Sequence, residues 1–278
     1  MGIILNDDQF RSYIEKLGEL PSEWTLRHQA ETVCEPMLTH FDRRNRPHLM
    51  EWHHYLLDQG LRHPDGDWSG FTETLLENGA LTALREHYAK FRGYWNGPDV
   101  PVYLLPIDLE NKTLLRRLNR KNGITFPECV VLFIDENLPV SSMKALLTHE
   151  YNHVCRLALQ NNDDSTVTLQ ESMIMEGLAE AAVRKALGPE ELAPWTKLHS
   201  KEKSFEWWDN VLRHERLLKN RRRHNVFMYG NDGLPPMIGY AAGYHLVYDW
   251  IDQTPELSGR KRLGTPAEEI LKESGWPF

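Results

Sequence analysis

Cysteine is scarce in this chain: three in 278 residues, at positions 34, 129 and 155. The count is odd and no two form a Cys-x-x-Cys pair, which speaks against a disulfide framework and against a thiolate zinc site. A reducing compartment fits that usage. Long apolar runs are missing too. Nothing approaches the roughly 18 consecutive apolar residues that a membrane-spanning helix needs. The first residues, MGIILNDD, lack the basic region and the long apolar stretch of a signal peptide, and Asn6 breaks the myristoylation pattern. Positive charge is also in short supply. Lysine and arginine number 32 against 40 acidic residues, for a net charge of −8. That balance argues against broad affinity for nucleic acid or for an anionic membrane surface. The local run Arg221-Arg222-Arg223-His224 reads as the solvated end of a helix. These absences lead to the expectation of a cytoplasmic protein with no nucleic-acid and no membrane partner. Repeats and low-complexity tracts are absent.

What is present is ordinary for a globular protein, with 41% hydrophobic and 26% charged residues. The length suffices for one large domain or two modest ones. Residues 1 to about 95 read mostly as helix, with apolar spacing of three and four over 10–17, 24–41, 47–61 and 68–91. Pro21, Pro64, Gly66 and Gly97-Pro98 punctuate these segments. Two strands are expected at 100–105 and 129–134, the second a short apolar run rich in β-branched residues. A basic helical or loop stretch, 113–121, and Gly123 lie between them. Helices are expected over 142–160, 168–187, 190–200, about 204–219 and 235–252. The predicted class is α+β, mostly helical, with a small sheet beside a central helix and helical lobes on both sides. The predicted division is an N-terminal helical region, 1–98, and a second domain, 99–278.

The central helix carries His149-Glu150-Tyr151-Asn152-His153. Residues four apart on a helix differ by about 40° around the axis, so His149 and His153 face one way and can share a metal ion. His-Glu-x-x-His is the pattern in which two imidazoles hold zinc and the carboxylate, here Glu150, serves the attacking water. With 13 histidines in the chain, random placement would produce such a pattern in roughly 0.05 of chains, so its context must carry the assignment. That context is an amphipathic helix, with Met143, Leu146, Leu147, Val154 and Leu157 at spacings of three and four. Ser141 or Ser142 is available to cap it. A catalytic zinc takes three protein ligands and leaves one position open. Glu176, on the next helix, is the expected third ligand, and Glu171 is its competitor. Gly177 and Ala179 are small and would let that helix approach the first one closely. Glu180, one turn beyond Glu176, can accept a hydrogen bond from the far nitrogen of a ligand histidine, His149 being the expected one, and so fix its tautomer.

His149-Glu150-Tyr151-Asn152-His153-Val154-Cys155-Arg156-Leu157, followed by Glu176-Gly177-Leu178-Ala179-Glu180, resembles the YjaZ-like predicted zinc-dependent proteases, and more broadly the gluzincin peptidases. The resemblance extends from about Val102 to Tyr248. It implies a zincin-like metallopeptidase core, His149, His153 and Glu176 as zinc ligands, Glu150 as general base, and Glu180 holding a ligand in place. Hydrolysis of a peptide or protein substrate is the implied activity. Such chemistry wants a second donor for the developing oxyanion. Tyr240 and Tyr244, four apart on a predicted helix, could each supply a phenol. Two other functions stay open at this stage: a zinc hydrolase acting on a non-peptide bond, and a non-enzymatic module with a structural zinc.

Overall fold

The structure is a computed structural model that describes residues 2–112, 115, 120–160, 166–219 and 221–278, with the side chain of Arg221 excepted. The chain is mostly helical with one small mixed sheet, so the α+β class holds. The sheet has the order β1-β2-β4-β3, with β1 Gly2–Ile4, β2 Pro101–Pro106, β3 Lys121–Thr125 and β4 Val130–Ile134. β1 and β4 run parallel to β2, in registers that pair Ile3 with Val102 and Leu104 with Leu132. β3 runs antiparallel to β4, with Gly123 opposite Leu132. Every residue of β2 and β4 is buried. Strands covered on both faces read as continuous apolar runs, which is why both were predicted within one residue of their ends. β1 and β3 escaped the sequence reading. β1 spans three residues, too few to show a period. β3 reads Lys-Asn-Gly-Ile-Thr, an edge strand whose partner supplies the hydrogen bonds that its own composition does not advertise. The basic stretch expected before it lies largely outside the described residues, and Lys121, its last member, begins β3.

The helices are α1 Asp7–Leu17, α2 Ser22–Gln29, α3 Glu35–Leu38, α4 Leu49–Gln59, α5 Phe71–Glu77, α6 Ala80–Trp95, α7 Val140–Gln160, α8 Leu169–Leu187, α9 Lys201–Asn210, α10 Arg221–Tyr229, α11 Ile238–Gln253, α12 Gly259–Gly264 and α13 Ala267–Glu273. Several expectations are corrected here. The segment 24–41 is interrupted by a π turn, Ala30–Cys34. Pro36, just beyond it, has no N–H to continue the ladder. The segment 68–91 breaks into α5 and α6 at Asn78-Gly79, where Gly79 takes φ +74° and the Asn78 side chain accepts from Ala80 N at 2.9 Å. The helix expected over 190–200 is two 3₁₀ turns, Pro189–Glu191 and Pro194–Lys197, each opened by a proline. The segment 204–219 becomes α9, capped by the Ser200 hydroxyl, followed by a 3₁₀ turn at Leu212–Glu215. α10, α12 and α13 were not predicted, being short or lacking a sustained apolar period.

Contacts group the chain into two compact units, Met1–Lys90 with Asp99–Leu147, and Phe91–Pro98 with Thr148–Phe278. By contacts, the sheet therefore goes with the N-terminal helices. In the first unit, Tyr13 and Trp68 pack edge to face at 4.7 Å, and Arg62 pairs with Glu136 at 2.9 Å out of solvent. In the second unit, α8 and α11 share a core that includes Met173, Ile174, Leu246, Val247 and Trp250, with Trp208 of α9. Cys34, Cys129 and Cys155 are all buried free thiols. Burial pushes Cys129 and Cys155 each up to about 12, so neither is a thiolate at neutral pH. Among the described residues, no helix is long and apolar enough to cross a membrane.

Candidate metal centre

α7 begins at Val140, earlier than capping by Ser141 or Ser142 would place it. Ser142 is otherwise engaged, its hydroxyl accepting from Lys121 Nζ at 2.8 Å. From Thr148 onward α7 belongs to the second unit, as do all the residues that follow. α8 starts at Leu169, where the Thr168 hydroxyl accepts from Glu171 N. Its last turn is closed by Gly188 at φ +104°.

These two helices bring His149, His153 and Glu176 together, with one ligand atom from each inside a sphere where all lie within 4.8 Å of one another. His149 Nε2 is 3.1 Å from Glu176 Oε2, and His153 Nε2 is 3.7 Å from Glu176 Oε1. Ligands about 2.1 Å from a tetrahedral zinc ion sit roughly 3.4 Å from each other, and each imidazole has one Glu176 oxygen near that distance. The donor set fits that metal in chemistry as well, being two imidazoles and a carboxylate. Electrostatics point the same way. Burial pulls the His149 pKa down, but Glu176 and Glu180 outweigh it and raise it well above its usual value; the two carboxylates favour a cation at this place. His153 is driven the other way, down to about 4, by burial first. It is a neutral imidazole with a lone pair to offer.

Glu180 lies against His149 Nδ1 at 2.8 Å through Oε1, while its Oε2 accepts from the backbone N–H of Ala193, also at 2.8 Å. With a carboxylate on Nδ1, that nitrogen keeps its proton, and Nε2, which faces Glu176, is the nitrogen that a metal would take. His153 has no such support: its Nδ1 is buried without a hydrogen-bond partner among the described residues. Glu150, next to His149 in sequence, is also buried. Glu171, the competing third ligand, is instead taken by Arg156, whose Nε and Nη2 donate to its two oxygens at 2.5 and 2.8 Å.

Of the two candidate tyrosines, Tyr240 stands in the field of the cluster. Its pKa is raised well above the usual phenol value by burial and then by Glu176, with further contributions from Tyr229 and Glu150. Its ring leans on Trp195 at 5.2 Å and on Tyr229 at 5.4 Å. Tyr244, one turn on, lies in the electrostatic surroundings of Arg184, whose pKa it helps to raise, and its ring is 4.6 Å from Tyr248. α11 reaches its place because two glycines meet. A methyl group on Gly177 would stand 2.4 Å from Gly243 O, and one on Gly243 would stand 2.0 Å from Met173 O. The expected close approach of Gly177 is therefore real, but it is to α11 and not to α7. Replacing Gly243 by Ala drives a methyl into backbone and is expected to cost about 1–3 kcal/mol. Thermal unfolding would register this as a fall of about 2–4 °C per kcal/mol in a chain of this size. An unchanged Tm would show that the helices can part cheaply.

Three contributors were not anticipated. The Ala193 amide and Tyr229 left no signal, the first being main chain and the second an exposed aromatic at a helix end. Arg156 did leave one: a charged residue at a position where the helix is otherwise apolar.

Comparisons with known proteins place the chain in a family. Residues 80–272 match a family model described as "Predicted Zn-dependent protease (DUF2268)". The chain is 32% identical over 198 residues to "Uncharacterized protein YjaZ" of Bacillus subtilis (strain 168), covering 71% of this chain and 76% of that protein. It is 28% identical over 127 residues to "Uncharacterized protein YjfC" of the same organism, covering 42% of each. No solved structure matches.

Proposed function

Since the chain belongs to the predicted Zn-dependent protease family DUF2268, we propose that it is a zinc-dependent peptidase of the gluzincin type, with a zincin-like core and with residues 99–278 as its functional domain. The observation that carries this reading is the convergence of His149, His153 and Glu176 from two helices, with Glu150, the neighbour of His149 in sequence, buried. His149 Nε2, His153 Nε2 and a Glu176 oxygen would hold the ion. Zinc in such a site acidifies water and polarises a carbonyl. Glu150, adjacent in sequence to His149 yet not in the ligand cluster, takes the proton of the attacking water and returns it to the departing amine. Glu180, anchored by the Ala193 amide, keeps His149 in the tautomer that presents Nε2. Tyr240 is held protonated by its surroundings, so its hydroxyl is a donor for the oxyanion that forms as the carbonyl is attacked. Tyr244, packed against Tyr248 and outside the field of the cluster carboxylates, is the less suited of the pair. The substrate is a peptide or protein and the site of action the cytoplasm.

The test combines metal analysis with substrate profiling. The purified protein should hold about one zinc per chain by elemental analysis, in keeping with one such site. It should cleave members of a peptide library, lose that activity to a chelator, and regain it with zinc. Cleavage of esters with no peptide cleaved would move the protein to a different class of hydrolase. Failure to bind zinc at all would end the reading.

A further inference from the structure

The cluster draws two ligands from α7 and one from α8, so its geometry depends on how those helices are held against each other. Beside the His149–Glu180 bond, a second side-chain contact links them close to the ligands. Arg156 lies three residues beyond His153, about 4.5 Å along the axis, and Glu171 five residues before Glu176, about 7.5 Å. The Arg156 guanidinium grips both oxygens of Glu171, at 2.5 and 2.8 Å. Its remaining amino group donates to the carbonyls of Leu263 and Thr265 at 3.1 and 3.0 Å, where α12 ends. Arg156 is wholly buried and Glu171 nearly so, at 0% and 5% exposure.

A buried ion pair is a poor device for stability alone. The cost of desolvating both charges offsets most of their attraction, and an apolar pair of similar volume often does as well or better. What the pair adds is geometry. A two-pronged bond between a planar guanidinium and a carboxylate fixes distance and rotation together, which apolar side chains sliding past one another do not. A metal site tolerates only about 0.5 Å of misplacement before its ligands cease to converge.

We infer that Arg156 and Glu171 are positioning residues for the metal cluster: their buried fork sets the approach of the helix bearing His149 and His153 to the helix bearing Glu176, and so sets metal affinity. The inference rests on the zinc reading above. Three variants test it: Arg156→Lys, which keeps the charge pair and loses the fork; Glu171→Gln, which keeps the shape and loses the charge; and the double variant Arg156→Met/Glu171→Leu, which replaces the pair by apolar volume. Zinc affinity is measured by competition with a chelator, ligand geometry by the visible absorption of the cobalt-substituted protein, and fold by thermal unfolding without metal. In Arg156→Lys and Glu171→Gln, zinc should bind about 10- to 100-fold more weakly, the range expected for residues that support ligands, and the cobalt spectrum should change. The double variant should unfold at or above the temperature of the unaltered protein and still bind zinc at least about 10-fold more weakly. Zinc affinity that recovers with stability in the double variant, or a cobalt spectrum unchanged in Arg156→Lys, overturns the inference while leaving the zinc reading intact. Absence of zinc binding by the unaltered protein overturns both.

Discussion

Glu150→Gln is expected to keep its zinc and lose hydrolysis, with kcat lower by about 10²- to 10⁴-fold, the usual contribution of a positioned base. The substitution keeps the shape of the side chain and changes only its chemistry. Glu150 follows His149 on α7, is buried, and is not one of the three clustered residues. Gln occupies the same volume and still accepts a hydrogen bond, so helix and ligands should be undisturbed. Only the capacity to hold a proton goes. Elemental analysis and turnover on a cleaved peptide, measured on the same preparation, separate the two effects. Turnover equal to that of the unaltered protein would remove Glu150 from the role of base.

His153→Ala and Glu176→Ala should behave in the opposite way, losing metal first and activity as a consequence. Each deletes one of three converging ligands. The loss of affinity should exceed the roughly 10- to 100-fold that follows from disturbing a residue behind a ligand, so the metal should leave on dialysis. Glu176 lies within 3.1 Å of one imidazole and 3.7 Å of the other, so its removal takes away a carboxylate that reaches both histidines. His63→Ala, at an exposed position of the other unit, is the matched control and should retain a full complement. A full complement in His153→Ala or Glu176→Ala would refute the ligand assignment.

The sequence carried the site further than it carried the fold, and the reason lies in where each kind of information sits. His149, Glu150 and His153 lie within one and a half helical turns, so their relation is set by helix geometry and can be read without knowing anything else. Glu176 and Glu180 repeat that logic four residues apart on one face of α8. The two buried strands were visible because burial on both faces leaves an unbroken apolar run. β3 was not, since its pairing is supplied by β4, a partner no local pattern reveals. The helix expected over 190–200 failed for a different reason: its composition allows a helix, but Pro189 and Pro194 hold it to single turns. Gly177 shows the limit most clearly. Its smallness announced a close neighbour, and only the tertiary structure identifies that neighbour as Gly243 and not the helix of the histidines.

The bond from Ala193 N–H to Glu180 has a consequence for how this site could vary among sequences. A donor that belongs to the main chain is supplied by nineteen of the twenty amino acids, so position 193 can drift without disturbing the orientation of His149. Proline alone would silence it. An alignment would then display an unremarkable, variable column at a place where the imidazole is in fact being steered, and its trace would be a missing residue type in place of a favoured one.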